Sequence, residues 1–98
     1  MMYAVLLEDN ASRADARAKF MLDHLSFLER NAAIIHAAGP LKDTADDAPA
    51  GGLWIVEADS PLAVQSLIES DPFWPTGLRK TVRVLEWAQV FSDGKRQI

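Results

Sequence analysis

The chain has 98 residues, of which 49% are hydrophobic and 24% are charged, and its formal net charge at pH 7 is −4. A chain of this length and composition is expected to fold as one globular domain with a modest core. The acidic balance argues against a nucleic-acid partner, because no basic surface is available to displace counterions from phosphates. The absence of cysteine excludes disulfides, thiolate metal ligands and cysteine nucleophiles.

The first residues, MMYAVLLEDN, lack the basic segment and the long apolar run of a signal peptide. No apolar stretch reaches the roughly 18 residues that a membrane-spanning helix needs. Together with the missing cysteines, these features predict a cytoplasmic protein with no membrane partner. A single domain is expected over residues 1–98, with its core in about 2–91 and a polar, frayed tail at 92–98.

The first strand is predicted at residues 2–8, where apolar side chains occupy both alternating faces, which indicates that both faces are covered. A helix is predicted over residues 13–30, and a loose capping box (SRAD) marks its start. Its core stripe follows spacings of four and three residues and comprises Ala14, Ala18, Met21, Leu25 and Leu28. His24 lies at the edge of this stripe, in line with Phe20 and Phe27.

The middle of the chain is expected to hold a strand, a loop and another strand. The second strand is predicted within residues 31–38 and is expected to end at Gly39-Pro40. Residues 41–50 are small, acidic and aperiodic, which is typical of a surface loop. The third strand is the apolar run at 53–58, and the two glycines before it are expected to mark its boundary.

A second helix and a last strand complete the pattern. Ser60 is placed to cap the helix, and Pro61 occupies its first position, where a missing N–H costs nothing. The helix is expected to end near Ser70, because Pro72 disfavours the helical conformation of the residue before it. The last strand is predicted at residues 80–90.

The elements repeat as β-α-β twice, which is the pattern of an α+β, ferredoxin-like βαββαβ fold with a four-stranded antiparallel sheet. Right-handed crossovers place the first and third strands at the centre of that sheet. Two helices cover only one face, although the strands are apolar on both. Monomers rarely leave such a face uncovered, so we expect a homodimer packed through its sheet faces, a dimeric α/β barrel.

Two polar residues are the strongest candidates for chemistry. His24 is the better titrating group, because imidazole exchanges protons near neutral pH. Asp71 has two interpretations: it shapes the turn by accepting backbone N–H groups, or it orients a neighbouring base. The helices of this fold lie antiparallel on the sheet, so the middle of the first can face the end of the second. His24 and Asp71 are therefore predicted to meet as an acid–base pair.

Three aromatic residues are expected to wall a small-molecule pocket at this pair: Phe20, Phe73 and Trp74. Trp54 and Trp87 are expected in the core, and His36 is expected to be structural or interfacial. No metal or cofactor is expected. The two histidines lack H-x-x-x-H spacing, the acidic loop lacks the glycine and glutamate of a calcium loop, and no phosphate-binding glycine motif occurs.

The chain resembles the YCII-related family over roughly residues 2–91. The matching segments are YAVLLEDN, HLSFL, AAGPL, GGLWIVEADS, ESDPFWPTGL and VRVLEWAQVF. That family is similar to the dimeric α/β barrels, whose ferredoxin-like units pack sheet against sheet. Its characteristic polar pair is a histidine in the first helix and an Asp-Pro after the second, and these fall on His24 and Asp71.

The resemblance also has implications for activity. One branch resembles a dehydrochlorinase of chlorinated hydroxyhydroquinones with a His–Asp acid–base pair, and related barrels include muconolactone isomerase. These relatives imply proton transfer on a small cyclic or aromatic molecule, with a non-catalytic ligand-binding module and a purely structural dimeric partner as alternatives. Many members carry an arginine shortly before the histidine, whereas here Phe20 and Met21 fill that region and Arg17 is a turn further away. If that arginine binds an anionic substrate, this departure implies a less acidic ligand.

Overall fold

Two α-helices and six β-strands make up the chain, which a computed structural model describes over residues 1–98. The main elements are β1 (Met2–Asp9), α1 (Ala14–Arg30), β2 (Ile35–Lys42), β3 (Pro49–Glu57), α2 (Pro61–Glu69) and β4 (Arg79–Glu86). Two short strands, β5 (Phe91–Ser92) and β6 (Lys95–Arg96), follow as a hairpin. Neither helix is long and apolar enough to cross a membrane.

The large sheet has the strand order β2-β3-β1-β4, and every neighbouring pair is antiparallel. Val5 shows the register, since its Cα pairs with Trp54 on β3 and with Val84 on β4. β1 and β3 therefore occupy the centre, as right-handed crossovers require. The α+β, ferredoxin-like fold with a four-stranded antiparallel sheet is confirmed.

Both helices pack on one face of the sheet. The main core between them consists of Tyr3, Val5, Leu7, Phe27, Ile35, Trp54, Val56, Val64 and Ile68. On β1, the odd-numbered members of this set are buried, whereas Ala4 and Leu6 point to the other face and are half-buried. One chain thus buries only one of the two apolar faces that its strands present.

The buried stripe of α1 differs from the one that the sequence predicts. Its buried residues are Ala16, His24 and Phe27, whereas Leu25 of the predicted stripe is 43% exposed. Ala14 and Ala18 of the predicted stripe are exposed as well. Leucines occur on two sides of this helix, so their spacing fits either orientation. The ring of Phe27, packed 6.0 Å from that of Trp54, decides which side turns inward.

The boundaries of β2 and β3 also differ from prediction. β2 does not end at Gly39-Pro40, since Gly39 pairs with Leu53 and Pro40 pairs with Gly52. Because β2 is an edge strand, the N–H that proline lacks is not needed by a further neighbour. The glycines at 51 and 52 lie inside β3, and the predicted loop at 41–50 shortens to 43–48.

The C-terminal part of the chain and the helix caps show three more differences and one agreement. β4 ends at Glu86, and residues 91–96 form a hairpin where the sequence predicts a frayed tail. The SRAD capping box does not form; instead, Asn10 Oδ1 accepts the N–H of Ser12 ahead of α1. Ser60 caps α2 as predicted, because its Oγ accepts the Ala63 N–H at 3.1 Å.

Candidate active site

His24 and Asp71 meet in the interior, between the middle of α1 and the turn that follows α2. His24 Nδ1 lies 2.9 Å from Asp71 Oδ1, and both side chains are buried. His24 reaches this position because it belongs to the buried side of α1. The predicted meeting of the two residues is therefore observed, across 47 positions of sequence.

Hydrogen bonds within the turn hold the Asp71 carboxylate in place. Asp71 Oδ1 also accepts the backbone N–H of Phe73 at 3.0 Å, and the Asp71 main-chain oxygen accepts that of Trp74 at 2.8 Å. Such an Asx turn is local chemistry, and Pro72 restricts the backbone within it. Both interpretations of Asp71 therefore hold in part: it shapes the turn, and the same oxygen faces the imidazole.

The hydrogen bond assigns the histidine tautomer. A carboxylate only accepts, so His24 Nδ1 carries the proton and Nε2 carries the free lone pair. No protein group hydrogen bonds Nε2, and no buried side-chain nitrogen or oxygen in the structure lacks a partner. Nε2 is therefore the accessible edge of an otherwise buried ring. An imidazole held in this way presents a basic atom outward.

Two aromatic rings hold the imidazole plane. Phe73 is fully buried and stacks on His24 with centroids 4.3 Å apart and planes 20° apart. The ring of Trp54 is tilted relative to the imidazole, with the two ring centroids 6.1 Å apart. With Asp71 fixing one nitrogen and these rings fixing the plane, His24 has little rotational freedom.

A small cleft of about 90 Å³ opens beside His24. Its other walls include Arg17, Met21, Leu28, Pro40, Trp54 and Arg79. They come from α1, β2, β3 and the first residue of β4, so the cleft exists only in the assembled fold. No carboxylate lines it.

Two arginines reach the cleft and share one carboxylate. Arg79 Nη1 donates to Asp9 Oδ1 at 2.8 Å, and Arg17 Nη2 donates to Asp9 Oδ2. The sequence analysis does not include Arg17 among the site residues. Arg17 nevertheless lies two helical turns before His24, and therefore on the same face of α1. Arg79 and Asp9 were missed altogether, because no local pattern relates residues 70 positions apart.

The predicted aromatic wall is distributed differently. Phe73 lies under the imidazole instead of facing the cleft, and Phe20 lines a separate surface cleft of about 430 Å³ with Pro72. Trp74 is half-buried and packs against the main core. Trp54, expected only in the core, is both core and cleft wall.

The remaining candidates lie away from the cleft. Trp87, also expected in the core, is 43% exposed. His36 is exposed on β2, with Nε2 3.6 Å from a carboxylate oxygen of Glu57. No three His, Cys, Asp or Glu side chains are grouped to hold a metal ion.

Comparison with known proteins agrees with this fold. The family model for the YCII-related domain matches residues 1–88, and no curated protein matches the chain. Among solved structures, the chain is similar to 5-chloro-2-hydroxyhydroquinone dehydrochlorinase from Burkholderia phenoliruptrix AC1100, in complex with 2,5-dihydroxybenzoquinone. The two are 30% identical with a TM-score of 0.76, over 90% of this chain and 94% of that chain. On the family match, the chain belongs to the YCII-related family.

Proposed function

We propose that this protein is a small enzyme that transfers protons on a cyclic or aromatic molecule, with His24 as the acid–base residue. The observation that carries the proposal is the His24–Asp71 hydrogen bond, which leaves the Nε2 lone pair free on a residue that lines the cleft. Asp71 then acts as a positioning residue: it holds the tautomer and offsets the positive charge that His24 gains on accepting a proton.

The solved relative supports a small cyclic substrate. It is named as a dehydrochlorinase of a chlorinated hydroxyhydroquinone, and its structure holds a dihydroxybenzoquinone. At 30% identity over most of both chains, the likeness extends beyond the fold. The same substrate class is therefore the first to test here.

Loss of HCl from a chlorinated hydroxyhydroquinone requires two proton transfers. A ring hydroxyl proton first moves to the chlorine-bearing carbon, which becomes tetrahedral, while the carbon that carried the hydroxyl becomes a ketone. A second hydroxyl proton is then removed while ring electrons displace the C–Cl bond pair, which leaves with chloride, and a quinone remains. One imidazole nitrogen that accepts and returns protons serves both steps, and the free lone pair on Nε2 of His24 supports assigning that role to it.

We also propose that the working unit is a homodimer formed through the open sheet face. That face is mostly apolar: β1, β3 and β4 present Ala4, Leu6, Leu53, Ile55 and Leu85 there, Trp87 follows the end of β4, and Arg83 lies opposite Leu6. A second copy would cover this surface and remove the cost of keeping it in water. Only two small helices pack on the sheet, and both lie on the other face.

Turnover of 5-chloro-2-hydroxyhydroquinone, followed as chloride release, tests the enzyme proposal. We expect His24→Gln to lower kcat/KM by about 10²- to 10⁴-fold, the range of a lost general acid–base. His36→Gln is the matched control, because it removes the other imidazole from an exposed site away from the cleft. Full activity of His24→Gln would overturn the proposal. Binding of quinone-type ligands without turnover, and unchanged by His24→Gln, would favour the non-catalytic binding module.

A further inference from the structure

The wall of the His24 cleft carries two cations and no anion. Arg17 and Arg79 both line it, whereas Asp9, which bridges them, lies outside it in an adjoining outer pocket. Two guanidinium groups share one carboxylate, so the cluster keeps one positive charge in excess. The chain as a whole has a net charge of −4, which makes this positive charge a local feature.

The Arg79 side chain is nearly buried and has a single protein partner. Its side chain is 4% exposed, and a single nitrogen, Nη1, bonds to Asp9. Arg79 Nε and Nη2 have no protein partner, and no buried side-chain nitrogen in the structure lacks one, so these two nitrogens keep some exposed surface on a residue that lines the cleft. A guanidinium with free donors in a recess is a ready site for an oxyanion.

Both guanidinium groups and the imidazole lie near the ring of one residue, Phe73. The ring of Phe73 has the His24 imidazole stacked at 4.3 Å, with the guanidinium carbons of Arg79 and Arg17 at 5.3 and 5.7 Å from its centroid. His24, Arg17 and Arg79 all line the same small cleft of about 90 Å³, which a single-ring molecule is large enough to span. One such molecule can therefore contact His24 and the arginines together.

The size of the space agrees with one ring that extends outward. The cleft at His24 measures about 90 Å³, which is smaller than the cavity of about 150 Å³ that admits benzene. A ring bound there would therefore extend beyond the cleft. The outer pocket, which shares Arg17 and Pro40 with it, measures about 460 Å³. A single-ring molecule with one edge at His24 would therefore extend past Arg17 into the outer pocket.

We infer that Arg17 and Arg79, held by Asp9, form an oxyanion subsite, so that the substrate is a single-ring compound with an ionised oxygen, a phenolate or a carboxylate. The inference rests on the proposed function in placing that compound beside His24. It also revises the expectation of a less acidic ligand, because Arg17 and Arg79 together supply the charge that the helix lacks nearer the histidine.

Benzoate and benzamide test the subsite, since they share shape and differ in charge. Calorimetry should show that wild type binds benzoate and clearly prefers it to benzamide. Arg79→Met and Arg17→Met should each weaken benzoate binding by about ten- to a hundredfold and leave benzamide unchanged. Arg30→Met is the charge-matched control, because Arg30 is exposed at the far end of the same helix as Arg17. Arg79→Lys, which keeps the charge, should retain part of the preference.

The subsite is refuted if benzoate and benzamide bind equally, if benzoate fails to bind at millimolar concentration, or if both arginine variants bind benzoate as wild type does. Should Arg79→Met not fold, Arg17→Met and Arg79→Lys still decide, because Arg17 is partly exposed. Failure of the proposed function gives a different result. A wild type that prefers benzoate to benzamide but releases no chloride from 5-chloro-2-hydroxyhydroquinone would retain the subsite and reject the enzyme.

Discussion

Asp71 serves two neighbours with one oxygen atom, the backbone N–H of Phe73 and the ring of His24. The first bond holds the turn, and the second orients the base. An asparagine can still accept both bonds but carries no charge, whereas an alanine accepts neither. These two substitutions therefore separate the structural role of Asp71 from its electrostatic role.

We expect Asp71→Asn to fold like wild type and keep its substrate affinity, while kcat falls by about tenfold or more because the imidazolium loses its counter-charge. Asp71→Ala should in addition lose about 1–3 kcal/mol of unfolding free energy, since two buried donors lose their acceptor. Urea unfolding and steady-state kinetics measure both effects. Asp59→Asn, at an exposed site before α2, is the control. A wild-type kcat in Asp71→Asn would show that the pair is structural only.

At the scale of elements, the start of β3 carries the strictest backbone requirement. Gly51 has φ +99°, and a Cβ placed there would lie 1.8 Å from the main-chain oxygen of Leu7 on β1. A backbone atom cannot step aside as a flexible side chain can. Neighbouring Gly52 lines the cleft, so this close approach of β1 and β3 also shapes the site.

Gly51→Ala should therefore lower the unfolding free energy by at least about 2 kcal/mol, from strain at positive φ and from overpacking. Gly39→Ala is the matched control, because a Cβ at Gly39 meets nothing within 4 Å. We expect its stability to stay within about 0.5 kcal/mol of wild type. Denaturant midpoints compare the two variants, and equal midpoints would contradict the assignment of Gly51 as a backbone contact.

At the scale of the whole molecule, the open sheet face decides the oligomeric state. If it is the dimer interface, light scattering should report twice the chain mass of 10.8 kDa at micromolar concentration. Ile55→Lys places a charge in the middle of that face and should yield folded monomers, because Ile55 faces away from the helix core. Leu22→Lys, at an 80% exposed site on α1, should remain dimeric. A monomeric wild type would refute the sheet-to-sheet dimer.

Local chemistry was enough to predict the element order, the cap at Ser60 and the turn at Asp71, because each depends on residues within about four positions. The topology followed from that order, since crossover handedness leaves few arrangements of β-α-β units. The meeting of His24 and Asp71 was predictable for the same reason: it depends on where two helices lie, not on side-chain detail.

Only the tertiary structure decided which side of α1 faces the sheet and which side chains surround the histidine. The first choice depends on how Phe27 packs against Trp54, and the leucine spacing alone fits two orientations. The second depends on Asp9 and Arg79, adjacent in the sheet register but 70 residues apart in the chain. Sequence periodicity contains no information on such a pair, because strand pairing brings it together. The turn at Asp71 is a local structure, but the cleft beside it belongs to the assembled fold.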